Sequence, residues 1–66
     1  MACYCLIVFD ALEEAREWRC KRGVGGWIFE FENEGLAVLF PPHMPPTAIF
    51  RHPLTKGHSG RLIGSA

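Results

Sequence analysis

The sequence predicts an α+β protein in which one helix packs on a small, mostly antiparallel sheet of three to five strands. The chain has 66 residues, which suits one small domain. Its apolar fraction of 48% and its net charge of zero exclude a disordered chain. Strand, helix, strand and strand patterns follow one another, and an irregular part rich in Pro and Gly comes last. We therefore expect a single domain over residues 1–66 with a β-α-β-β start.

The first element is an apolar run from Ala2 to Phe9. Because this run is apolar on both of its faces, it predicts a central strand that is covered from both sides. A strand, a helix and a second strand in this order favour two strands that run parallel to each other.

The segment after Asp10 carries the clearest helix pattern in the chain. Asp10 is suited to cap the helix, and Glu13 lies three residues later, as in a capping box. Acidic residues occupy the first turns and basic residues the last, which matches the helix dipole. Gly23 is suited to the left-handed conformation that ends a helix. The apolar stripe of the helix comprises Ala11, Leu12, Ala15 and Trp18.

Residues 27–40 predict a β-hairpin. Apolar and polar side chains alternate over residues 27–32, as in a strand with one buried face. Residues 33–35 supply turn chemistry, with a glycine in third place, and residues 36–40 form the return strand.

The first strand of this hairpin places Trp27, Phe29 and Phe31 on one face. We expect these three rings to pack beneath the helix. Stacking on unpaired bases is the alternative use of such a row, but it calls for basic neighbours. Glu30 and Glu32 are the neighbours here, so the core assignment is favoured.

The C-terminal part is irregular. Residues 41–46 contain four prolines and predict an extended connector; the P-x-x-P spacing of residues 42–45 also fits a polyproline ligand. Residues 47–50 suit either a short strand or a short helix that Thr47 can cap. Residues 51–61 predict a basic loop, and residues 62–63 can pair briefly at a sheet edge.

The three cysteines indicate a reducing compartment. Cys3, Cys5 and Cys20 are an odd number, and no C-x-x-C spacing occurs. We expect buried thiols and neither a metal nor a cofactor. The chain also shows no signal-peptide pattern and no apolar run near 18 residues. These features predict a cytoplasmic protein that does not span a membrane.

The charges divide the chain into two halves. Residues 1–34 hold four cations and all seven acids, whereas residues 35–66 hold three cations, no acid and all three histidines. One interpretation is that the protein has two faces of opposite sign, one of which recognises a charged partner. The alternative is that the two halves interleave in the fold and their charges offset one another.

The candidate binding residues follow from this asymmetry. A glycine loop at residues 56–61 is flanked by basic residues and could hold a phosphate, although G-x-x-G alone is a weak signal. The acidic face of the helix is the second candidate. The predicted basic site consists of Arg51, His52, Lys56, His58 and Arg61, and the acidic site consists of Glu13, Glu14 and Glu17.

The sequence favours binding over catalysis. A domain of this size has little room for a substrate pocket, and no carboxylate lies near the histidines in sequence to orient a catalytic base. We expect a non-enzymatic inhibitor, adaptor or subunit without a small-molecule substrate, of a kind that phages or plasmids encode. Its abundant aromatic surface favours a protein partner or a homodimer. Nucleic-acid or phosphate binding through the basic loop is the alternative.

Overall fold

The computed structural model of this chain describes residues 6–64. The elements are β1 (Ile7–Phe9), α1 (Leu12–Arg22), β2 (Trp27–Phe31), β3 (Ala37–Phe40), α2 (Pro46–Arg51) and β4 (Gly60–Ile63). The four strands form one sheet in the order β1-β3-β2-β4, and all neighbouring strands are antiparallel. The predicted α+β class is therefore confirmed. In the described part of the chain, neither helix is long and apolar enough to cross a membrane.

The predicted central position of the first strand is wrong. Among residues 6–64, β1 is an edge strand that pairs only with β3, and Val8 in its middle is 57% exposed. The four residues of β3 are all buried, and this strand occupies the place between β1 and β2. β1 and β2 run parallel, because both are antiparallel to β3, but they are not neighbours. Residues 2–5 of the predicted strand lie outside the described residues.

The ends of α1 follow the sequence prediction at one terminus only. Gly23 adopts the left-handed conformation, with φ of 61°, and ends the helix as expected. At the other end Ala11, not Asp10, occupies the capping position, and no side chain caps the helix. Ala11 is still extended, with φ of −154°, so the helix begins one residue later than Asp10 would require.

The two faces of the sheet have separate cores, which we call the α1 face and the aromatic face. On the α1 face, α1 packs on β1, β2 and β3, and the buried residues are Ala15, Ile28, Ala37 and Leu39. The aromatic face buries Phe29, Phe31, Val38, Phe40 and Ile49.

The predicted packing of the aromatic row beneath α1 is therefore wrong. Phe29 and Phe31 are buried on the opposite face, where α2 contributes Ile49. Half-buried Trp27 packs against the same cluster. The physical reason is the small size of Ala15 and Ala37, both fully buried, which draws the helix close to the sheet and leaves no room for a row of rings.

The segment after β3 forms a turn and a short helix rather than an extended connector. The amide of Met44 donates to the carbonyl of Pro41 (3.2 Å), and Pro46 is the first residue of α2. Thr47 does not cap this helix, because Pro45 occupies the capping position. The helical alternative for residues 47–50 is thus confirmed.

The predicted basic loop is shorter than expected at both ends. Arg51 is the last residue of α2, and Arg61 lies in β4, which begins at Gly60. The predicted edge pairing of residues 62–63 is confirmed, since β4 pairs with β2 at the second edge of the sheet. Thr55 anchors the loop from within: it is buried, and its hydroxyl donates to the carbonyl of Ile49.

Candidate interaction surfaces

Two of the five residues in the predicted basic site are matched by acids of the hairpin. The Arg61 Nε donates to Glu30 Oε1 at 2.8 Å, and the two residues face each other across β2 and β4. His58 Nδ1 lies 3.1 Å from Glu34 Oε2. The two halves of the sequence therefore interleave here, and part of the positive charge of the C-terminal half is offset locally.

His58 and Glu34 also supply a histidine with a carboxylate beside it, which the sequence separation had hidden. The pair is 24 positions apart in the chain, and the β2–β3 turn and the C-terminal loop bring it together. The ring of His58 packs edge-on against Phe31, with 5.3 Å between ring centroids. These contacts join the C-terminal loop to the β2–β3 turn and to the sheet, so we assign His58 to fixing the loop on the sheet.

His52 has a structural environment too. Its half-buried ring packs edge-on against Phe40 at 5.4 Å, and its Nδ1 accepts a hydrogen bond from the amide of Leu54 at 3.1 Å. Five residues separate His52 from His58, a spacing that occurs in zinc sites. Each Nδ1 is engaged within the protein, and no metal-binding group of three is present among residues 6–64.

The glycines of the loop have structural roles that account for the G-x-x-G pattern. Gly57 has a φ of +82°, which side-chain-bearing residues rarely adopt. A Cβ at Gly60 would clash with the carbonyl of Glu30 and lie 2.5 Å from the Phe29 ring. The pattern therefore follows from a tight turn and a close approach of β4 to β2.

The other two predicted basic residues remain available. Arg51 and Lys56 are exposed and form no ion pair with any acid in the described part of the chain. The same segment of the chain carries two exposed apolar side chains, Phe50 (48% exposed) and Leu54 (43% exposed). We call these four residues the α2 surface: two apolar side chains and two cations that form no ion pair among residues 6–64.

Sequence reasoning missed Phe50 and Leu54 as surface residues. Ile49 and Phe50 are adjacent in a short helix and point in different directions, so Ile49 is buried in the core while Phe50 meets Phe29 and stays about half exposed.

The predicted acidic site lies on the other side of the sheet. Glu13, Glu14 and Glu17 are exposed on α1, and with Arg16 they line an open depression of about 480 Å³. Lys21 stands 3.8 Å from Glu17, one turn away, and both side chains are largely exposed. Because α1 and α2 cover opposite faces, the acidic face and the α2 surface point in opposite directions.

A third surface lies at the end of the α1 face beside the Glu30–Arg61 pair. Glu30, Glu32, Gly60 and Arg61 line a depression of about 310 Å³ there. Arg61 already forms an ion pair with the carboxylate of Glu30, whereas Glu32 is exposed. The depression is therefore bordered by one paired acid and one exposed acid.

The cysteines do not form a site in the structure. Cys20 is exposed on α1 with a free thiol, so the expectation of a buried thiol is wrong at this position. Cys3 and Cys5 lie outside the described residues.

The fold and these surfaces define a small α+β domain with an acidic helix face and an apolar, basic surface on opposite sides of its sheet. No protein-family model, no curated protein and no solved structure matches this chain.

Proposed function

We propose that this chain is a small, non-enzymatic protein-binding module of the inhibitor, adaptor or subunit type. The α2 surface would contact an acidic, partly apolar surface of its partner. The observation that carries this proposal is the group of four exposed residues within seven positions, Phe50, Arg51, Leu54 and Lys56.

The composition of the α2 surface supports protein binding. Aromatic residues and arginine are enriched among the residues that dominate protein interfaces, because they bury much area and can pair with charge. Phe50 is held in place by an edge-on contact with the buried Phe29, at 5.8 Å between centroids. A ring that is fixed before binding loses less conformational freedom on association.

The charges around this surface favour an acidic partner. No acid follows Glu34 in the sequence. The acids that meet the C-terminal part, Glu30 and Glu34, are engaged by Arg61 and His58. Arg51 and Lys56 therefore keep their charge for a partner, and a negative surface would be attracted at long range.

Nucleic acid is the second candidate, and the same surface favours it. An exposed phenyl ring beside two cations can stack on an unpaired base while the cations contact phosphates. This candidate uses Arg51 and Lys56 rather than the predicted glycine loop, since Gly57 and Gly60 have structural roles.

The cytoplasm remains the proposed location. The free, exposed thiol of Cys20 is typical of a reducing compartment.

Charge reversal on the two sides of the molecule tests the proposal. Arg51→Glu with Lys56→Glu removes the proposed contact, and Glu13→Lys with Glu14→Lys is the matched control on α1. All four positions are exposed, so both double variants should keep the circular dichroism spectrum of the parent protein. Both should melt at a somewhat lower temperature, because Glu13 and Glu14 lie in the first turn of α1 and Arg51 in the last turn of α2, where their charges favour the helix dipole. Each tagged protein is incubated with lysate of the source cells, with and without nuclease treatment, and bound proteins are quantified by mass spectrometry.

We expect a stoichiometric partner whose capture falls roughly tenfold or more in the α2-surface variant and is unchanged in the control. Loss in the α1 variant alone would assign the contact to the acidic face. Loss of all capture on nuclease treatment would favour nucleic acid. In that case a labelled single strand of about 20 nucleotides should bind the purified protein with steep salt dependence.

A further inference from the structure

Strand β4 forms one edge of the sheet, and its hydrogen-bonding pattern is fixed by its pairing with β2. The amide of Glu32 donates to the carbonyl of Ser59 at 2.9 Å, and the two residues lie opposite each other in the continued register. Hydrogen-bonded pairs recur at every second residue of an antiparallel ladder. The backbone groups of Arg61 and Ile63 therefore point towards β2.

The alternate residues of β4 point their backbone groups away from the sheet. By the same alternation, the amides and carbonyls of Gly60, Leu62 and Gly64 face outward. The other side of β2 agrees with this assignment, since the amide of Phe31 donates to Leu36 of the hairpin at 2.9 Å. Among residues 6–64 these donors and acceptors have no backbone partner, so the outer edge of β4 is a row of groups that another strand can join.

The aromatic rings of β2 shape this edge. A Cβ at Gly64 would lie 3.3 Å from the Trp27 ring, and one at Gly60 would lie 2.5 Å from the Phe29 ring. The rings therefore extend over the two glycines, and Leu62 is the side chain that stands between them on this face. A strand that pairs with β4 needs small residues opposite Gly60 and Gly64, where the rings reach towards the edge.

We infer that the strand that fits this edge is β4 of a second copy, paired antiparallel about a twofold axis at Leu62. In this register Gly60 of one copy lies opposite Gly64 of the other, so a glycine faces a glycine at both positions that the rings cover. Leu62 lies opposite its own counterpart between them. Arg61 lies opposite Ile63, so no like charges face each other. The two four-stranded sheets join into one sheet of eight strands.

The neighbouring registers are less favourable. Only Gly60, Leu62 and Gly64 can form hydrogen bonds across this edge. Registers in which at least two of them from each copy are paired place the twofold axis at Arg61, Leu62 or Ile63. Centring on Arg61 sets two arginines directly opposite each other, which is destabilising. It also places Leu62 opposite Gly60, beneath the Phe29 ring. Centring on Ile63 leaves the backbone groups of Gly60 without a partner among the described residues.

The other edge of the sheet offers less to a partner strand. β1 has three residues, and Val8 is the one among them whose backbone groups point away from β3. Its bulky side chain stands on the aromatic face, where β4 has glycines. β4 is therefore the edge that we assign to self-association.

A single substitution can weaken the proposed dimer contact while leaving the hydrogen bonds between β4 and β2 in place. Leu62→Pro removes an outward amide, which β2 does not use, and proline is tolerated on an edge strand in that position. The matched control, Leu62→Val, keeps the amide. Sedimentation equilibrium should show a reversible dimer for the parent protein and for Leu62→Val. Association of Leu62→Pro should be weaker by roughly 10- to 100-fold, because two hydrogen bonds are lost at the axis.

Two measurements on the parent protein keep the inference testable even if Leu62→Pro fails to fold. Hydrogen exchange at the amides of Gly60 and Leu62 should slow as the protein concentration rises. Isotope-filtered NMR spectra of a mixed labelled and unlabelled sample should show a contact between the Arg61 Hα of one copy and the Ile63 Hα of the other. A chain that stays monomeric up to about 1 mM overturns the inference. So does a dimer in which the Val8 amide is protected and that of Leu62 is not.

Discussion

The two faces of the sheet are buried by different chemistry, although they share the same strands. On the α1 face the buried side chains are small or aliphatic, with Ala15 of the helix set against Ile28, Ala37 and Leu39. The half-buried rings of Phe9 and Trp18 pack against this cluster. The aromatic face buries three phenylalanine rings under a six-residue helix and a loop of turns. A regular helix fits closely over small residues, whereas the shorter, irregular cover can wrap around rings. An aromatic row in a sequence therefore indicates burial, but it does not identify the layer that covers it.

The largest expected effect comes from two adjacent residues of β3 that point to opposite faces of the sheet, one into each core. Phe40→Ala should lower the free energy of unfolding by about 3–5 kcal/mol and Leu39→Ala by about 2–5 kcal/mol. Both side chains are buried, and we expect the larger loss for Phe40, because its ring leaves the larger cavity. Urea unfolding monitored by circular dichroism measures both values. An equal or smaller loss for Phe40→Ala would show that the aromatic face is not the main core.

The second test concerns the contact of β4 with the aromatic face. Gly60→Ala should destabilise the protein by about 1–3 kcal/mol, because the added methyl group meets the Glu30 carbonyl and the Phe29 ring. Gly57→Ala is the matched variant in the same loop. It meets no atom within 4 Å and suffers only from its positive φ, so its cost should be about 1–2 kcal/mol. The midpoint of urea unfolding ranks the two, and a Gly60→Ala protein as stable as the parent would contradict the close approach.

The smallest expected effect concerns the loop after α2, which helps to cover the aromatic face. Thr55→Val removes the buried hydroxyl that donates to the carbonyl of Ile49 at nearly unchanged volume. That carbonyl keeps the amide of His52 as a second donor at 3.2 Å, so the cost should be about 1 kcal/mol. Thr47→Val, on the exposed side of α2, should change the unfolding free energy by less than about 0.5 kcal/mol. Equal melting temperatures for both variants would show that the Thr55 hydroxyl does not secure the loop.

The elements with strong local signals were predictable. The hairpin follows from alternation and a glycine turn, and Gly35 has the expected left-handed φ of 69°. The end of α1 at Gly23 follows from the same property of glycine. Its beginning was misplaced because the preference of Asp10 for capping is about 1 kcal/mol, which the chain path from β1 into α1 can override.

For the candidate sites, the sequence predicted which residues are charged but not which of them form ion pairs. The sequence identified Arg51, Lys56 and Arg61 as basic residues without nearby acids in the chain. Which of them stays unpaired depends on the register of β4 against β2, which brings Arg61 to Glu30. Register is a property of long-range pairing, and no local pattern specifies it for a strand of four residues.

The sequence by itself determined that this chain has a small α+β fold, that residues 27–40 form a hairpin, and that its acids and its histidines lie in different halves. Only the tertiary structure decided the strand order, the face on which the aromatic row is buried, and the cations that remain unpaired. Local patterns depend on contacts within a few residues. Strand order and the choice of face depend on which distant surfaces pack most closely. β3, not β1, lies in the interior of the sheet, and the small Ala15 and Ala37 let α1 pack on the face opposite the buried phenylalanine rings.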